Sequence, residues 1–208
     1  GGAVVVDSII ATAGDVDLTA GGNTTISSIV ANAADSVVSL TVDGDVLKGT
    51  GSTQITAHAV VLSTTGAVGA GAALHTDLDE LTASSSAAAG SGDIELVNAG
   101  DLAIVSVSTA SDVKLTSTSG HIVDAGAANT VLDISAADLQ LTAATGVLNL
   151  ETSVNTLTVT ATSGNVVLSE ANDLTINSIT ATTGNVTLDV GGAVVVDSII
   201  ATAGDVDL

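Results

Sequence analysis

The side chains able to do chemistry are few: 23 carboxylates, three imidazoles and two lysine ammonium groups, with no cysteine or tyrosine. The acids fall in short sets. Asp43 and Asp45 in VDGDV, and Asp15 and Asp17 in GDVDL, resemble fragments of an acidic calcium loop, since hard cations draw several oxygens from one loop. Neither set completes a twelve-residue loop of the EF-hand kind, and GGAVVVDSI lacks the second glycine pair of a calcium-binding nonapeptide. These acids therefore read as solvated, outward carboxylates. Asp77, Asp79 and Glu80 in HTDLDEL could pair as the acid and base of a glycoside hydrolase, but no aromatic ring is present to stack on a sugar. A lyase acting on acidic polysaccharide needs a base and cations for its substrate. Lys48 and Lys114 lie far apart in the chain, and arginine is absent. His58, His75 and His121 are equally scattered and read as surface or corner residues. The expectation is a protein that is not an enzyme, with no catalytic, cofactor-binding or metal-ligating residue assigned and Ca2+ the one cofactor left open.

Charge and composition narrow the partners. The formal net charge is −21, which cannot neutralise phosphates and so excludes nucleic acid; anionic membrane surfaces are disfavoured for the same reason. No run of about 18–20 uncharged apolar residues suggests membrane insertion. Without cysteine there is no disulfide framework or thiolate metal site, and the lack of oxidisable side chains suits life outside the cell. Hydrophobic residues make up 46% of the chain, yet Phe, Tyr, Trp, Met and Pro are all missing. A core of only Val, Ile, Leu and Ala fits a narrow interior in which similar side chains stack, and the β-branched residues favour strands.

Repeats supply the elements. Residues 1–18, GGAVVVDSIIATAGDVDL, recur letter for letter at 191–208, an offset of 190 residues. The chain thus divides into one tandem unit, 1–190, and the start of the next, 191–208. Inside the unit, TVTATSGNVVL (158–168), SITATTGNVTL (178–188) and SIIATAGDVDL (198–208) follow one another every 20 residues, the length of a solenoid repeat. Within a repeat the period is two: Val186, Leu188 and Val190 alternate with Asn185, Thr187 and Asp189. Short strands with glycine corners predict an all-β chain, a right-handed single-stranded parallel β-helix of about 8–9 coils per unit, eight if glycine-anchored corners are counted. Val16, Leu18, Val166, Leu168, Val186 and Leu188 are predicted to point inward. The stretch 72–92, rich in Ser, Ala and Gly, is the expected long loop. Asn165, Asn185 and Asp205 align, as do Val167, Thr187 and Asp207, so carboxylates do not pile on one another there. Thr156, Thr158, Thr160 and Thr162 alternate like the threonine ladder of an ice-binding solenoid, but the neighbouring repeats place other residue types there, and no extended ladder is expected.

The phrases DLTINSITATTGNVTL (173–188) and DVKLTSTSGHIVDAG (112–126) resemble the parallel β-helix repeats of filamentous haemagglutinin-like proteins and giant bacterial adhesins. The resemblance implies an exported, extracellular protein of the bacterial cell surface, a structural or adhesive repeat of a long fibre. The alternative is a β-solenoid module binding calcium or carbohydrate. Both ends fall within a regular repeat, so the expected partners are further copies of the same unit end to end, together with a host or neighbouring cell surface.

Overall fold

The computed structural model describes residues 2–126 and 131–208. All regular elements among them are β-strands, so none is a helix long and apolar enough to cross a membrane. The strands stack in parallel. One 11-stranded sheet carries Val16–Ala20, Val37–Val42, Ala59–Thr64, Glu80–Ser85, Leu102–Ser108, Ile122–Asp124, Val147–Ser153, Val166–Glu170, Val186–Val190 and Val206–Asp207, with Ile134–Ser135 as its eleventh member. Each of the ten is one coil further along the chain, which makes a parallel β-helix of about ten turns. A second 11-stranded sheet faces it, built from strands such as Ile94–Asn98, Val113–Ser117, Asp138–Ala143, Thr156–Ala161 and Leu174–Ala181. Val4–Val6, Thr24–Ile26 and Val46–Lys48 form a third, three-stranded face.

Nine steps lead from Val16–Ala20 to Val206–Asp207, so the 190-residue unit is nine coils. Counting glycine corners finds only eight because the corners before Val37–Val42, Ala59–Thr64 and Glu80–Ser85 hold no glycine, whereas Gly44, Gly66 and Gly92 mark a different corner. The two identical segments adopt the same elements: Val4–Val6, Ile9–Ala11 and Val16–Ala20 reappear as Val194–Val196, Ile199–Ala201 and Val206–Asp207.

In-register pairing turns the period-two pattern into columns. Val16, Val38, Val60, Leu81 and Ile104 stack in one column, and Val166, Val186 and Val206 in another. Side chains of one shape repeating every ~4.8 Å fill the interior without the irregular gaps that aromatic rings usually occupy. Of the residues expected inside, Val16, Val166, Leu168, Val186 and Leu188 are buried, and Leu18, on the first coil, is half-buried against the same core.

Several expectations need correction. The segment 72–92 is not one long loop. It contains the strands Leu74–Asp77 and Glu80–Ser85, with Leu74, Thr76, Leu78, Leu81 and Ala83 buried. The alternation in LHTDLDELTAS outweighs its Ser and Ala content, and Ser85 fits inside because its hydroxyl donates to the Gly66 carbonyl at 2.6 Å. The longest piece outside strands there is 86–93. A threonine column does extend: Thr116, Thr142, Thr160 and Thr180 are register partners on four successive coils, bounded by Val97 and Ile200. Threonine recurs there as an outward strand residue in repeats whose other outward positions vary.

Acids are kept apart where the sequence implied it: Asn185 N donates to Asn165 Oδ1 and Asp205 N to Asn185 Oδ1, at 2.9 and 3.0 Å. Elsewhere they do stack. Asp93, Asp112 and Asp138 precede the paired residues Ile94, Val113 and Leu139. Burial first, then the charges of Asp138 and Asp93, hold the Asp112 carboxyl above its ordinary range.

Candidate functional site

Among the described residues, the first sheet is split by an excursion at one coil. That coil, which follows Leu102–Ser108, begins as Ile122–Asp124, pairing with Leu102, Ala103 and Ile104. The chain then leaves the sheet and rejoins the same layer as Ile134–Ser135, which pairs with Val107 and Ser108 below and with Thr152 and Ser153 above. Asp124 and Asp133 stand at the two lips of this break. Opposite them, the strand Val147–Ser153 carries one extra residue: Val147 pairs with Val166 and Leu150 with Leu168. Asn149 absorbs the bulge in the left-handed region, at φ 57°. A bulge shifts the phase of the residues that follow it, and here it brings Glu151 over the break.

Asp124, Asp133 and Glu151 converge, each offering a carboxylate oxygen, with these oxygens all within 4.8 Å of one another. Asp124 is 6% and Asp133 2% exposed. Gly126 N donates to Asp124 Oδ1 at 2.6 Å, and Glu151 N donates to Asp133 Oδ2 at 2.9 Å. Glu151 Oε2 is buried and accepts no hydrogen bond from the described residues. A cavity of about 360 Å³ adjoins Asp124 and Asp133, with Glu80, Val105 and Val131 also in its wall. Neither lysine is near: Lys114 pairs with Glu95 at 2.8 Å on the other large sheet, and Lys48 lies on the three-stranded face. Burial, followed by the Glu151 carboxyl and the Asp124 charge, pushes Asp133 up to about 7, against the opposing effect of the Glu151 amide.

This has a pH signature. An aspartate in the unfolded chain titrates near 3.9. Between about pH 4 and about pH 7 the folded state therefore holds more protons at Asp133 than the unfolded state, and stability falls as pH rises through that window. An asparagine in place of Asp133 would keep an oxygen acceptor for Glu151 N without the charge. In chelator, the thermal midpoint of Asp133→Asn relative to the parent chain is expected to rise steadily from pH 4 to 7 and then level off, read by circular dichroism. A difference independent of pH would contradict this.

The residues singled out from sequence go elsewhere. Asp45 Oδ1 accepts from Ala67 N at 2.9 Å, Asp15 Oδ1 from Val37 N at 2.9 Å, and Asp43 Oδ1 from the Thr65 hydroxyl at 3.0 Å. These acids staple successive coils, while Asp17 points outward from its strand. Of the HTDLDEL acids, Asp79 Oδ2 lies 2.9 Å from His58 Nδ1 and holds that imidazole's pKa above its usual value. Asp77 is exposed, and Glu80 reaches the cavity wall. The histidines remain on separate coils, His75 Nδ1 against the Ser52 carbonyl at 3.1 Å and His121 Nδ1 against Thr145 Oγ1 at 2.8 Å.

Two of the three clustered acids carried weak sequence signals. In HIVDAG, Asp124 stands two residues after Ile122 and shares its inward phase. Asp133, flanked by Leu132 and Ile134, is an acid inside an apolar run. Glu151 reads as outward and does lie in the outward phase, between buried Leu150 and Thr152; nothing in the local pattern marks the two aspartates it meets there. No family model, curated protein or solved structure matches the chain.

Proposed function

We propose that this chain is a structural and adhesive repeat of a long extracellular bacterial surface fibre, built from tandem nine-coil β-solenoid units. The observation that carries this reading is the fate of the repeated segment. Residues 191–208 dock on the preceding coil in strict register, Leu174 to Val194, Ile179 to Ile199 and Val186 to Val206, with the same strands as residues 1–18. Val6, covered by the coil that follows it, is 6% exposed, whereas its copy Val196, on the last coil, is 42% exposed. The same side chain is buried once another coil is added, so each unit offers its successor both backbone pairing and apolar surface. A surface poor in cations and free of sulfur suits export, and the −21 charge opposes side-by-side aggregation of stacked strands. No catalytic step is assigned to any residue.

The test is a length series. Chains of one, two and three units should grow by about 43 Å per unit at constant cross-section, nine coils at ~4.8 Å each, in small-angle X-ray scattering or electron micrographs. Two-unit chains that scatter as separate bodies on a hinge would sink the fibre reading. Attachment of coated beads to cells then measures the adhesive part.

A further inference from the structure

We infer that Asp124, Asp133 and Glu151 form a binding site for one calcium ion per unit, which ties the two lips of the sheet break to the coil above. Three observations support it independently of whether units are joined into a fibre. The first is distance. Oxygens all within 4.8 Å of one another can touch one central ion, because two ligands on opposite sides of Ca2+ lie about 4.8 Å apart at a Ca–O distance of about 2.4 Å. Magnesium, at about 2.1 Å, would need a tighter set and a more regular octahedron.

The second is an unanswered acceptor. Glu151 Oε2 is buried without a hydrogen-bond donor among the described residues. Glu170, on the next coil, shows the alternative: its carboxylate is 1% exposed and accepts from the Thr152 hydroxyl at 2.7 Å and from Val154 N at 3.1 Å. Both Glu170 oxygens have donors, whereas Glu151 Oε2 has none among the described residues. A buried anionic oxygen left unpaired is costly, and a cation supplies what the protein does not.

The third is charge balance. Three carboxylates meet with no lysine beside them, and Glu80 lines the cavity that adjoins Asp124 and Asp133. A divalent ion offsets two of these four negative charges. The cavity leaves room for the waters that complete the six to eight oxygens calcium takes.

The experiment is calorimetric titration of calcium chloride into the 208-residue chain after removal of divalent ions with chelator. One saturable site per chain is expected, with a higher thermal midpoint when calcium is bound and weaker binding of magnesium chloride. Glu151→Gln should weaken calcium binding at least tenfold while leaving the strand signal in circular dichroism unchanged. Asp133→Asn should do the same, and if that variant fails to fold, Glu151→Gln alone decides. Asp43→Asn, a surface acid on another coil, should bind like the parent. Absence of saturable heat, several weak equivalent sites that track the overall charge, or parental affinity in Glu151→Gln would each overturn the assignment.

Discussion

Asn98→Leu is expected to cost about 4 kcal/mol or more, from several buried partners losing hydrogen bonds at about 1–3 kcal/mol each. Asn98 is fully buried. Its Oδ1 accepts from Leu78 N and from the Thr76 hydroxyl, both at 2.9 Å. Its Nδ2 donates to the carbonyls of Leu78, Gly100 and Asp101, at 3.0, 3.3 and 2.9 Å. One side chain thus satisfies the corner between Leu74–Asp77 and Glu80–Ser85 on the coil below, and also the corner following its own strand. Leucine has nearly the same shape but strands all these groups. Thr76→Val removes one hydroxyl, shared between Asn98 Oδ1 at 2.9 Å and the Val97 carbonyl at 3.5 Å, and should cost only about 1 kcal/mol. Urea unfolding followed by circular dichroism compares the two, since the chain has no aromatic fluorophore. Equal losses in the two variants would show that the Asn98 network does not act as the pin described.

Gly184→Ala should be nearly as damaging. A methyl group on Gly184 would overlap the main-chain carbonyl of Gly164 on the coil below, and Gly204 stands in the same relation to Gly184. These corners approach backbone to backbone, so no flexible side chain can swing aside, and the coils must separate. A loss of about 3 kcal/mol is expected, the upper part of the overpacking range. Gly100→Ala provides the contrast. Nothing lies within 4 Å of its added carbon, so its effect should stay within about 0.5 kcal/mol. Comparable destabilisation by both would place the cost in backbone flexibility rather than in coil-to-coil contact.

Much of the architecture was legible because its causes are local and periodic. Alternation of Val186, Leu188 and Val190 with polar residues names the buried face. The 20-residue spacing then places the same side chain on the next coil, so the core columns follow from counting. The aromatic-free composition indicated a narrow stacked interior for the same reason. Polar residues in the inward phase, Asn98 two after Leu96 and Glu170 two after Leu168, were also written in the chain, although the partners that satisfy them were not.

Tertiary structure decided the rest wherever coil length departs from 20 residues. Whether LHTDLDELTASS is loop or strand depends on which coil it lands beside, and pairing with Ala59–Thr64 made its second half a strand. The threonine column depends on register across coils of unequal length, which no fixed offset reveals. The acidic cluster depends on it most. Asp124, Asp133 and Glu151 are 9 and 18 residues apart in sequence. They meet because one coil splits around an excursion while the next absorbs an extra residue at Asn149. Periodic sequence specifies what repeats, but a site made by two coordinated departures from the repeat exists only once the coils are stacked.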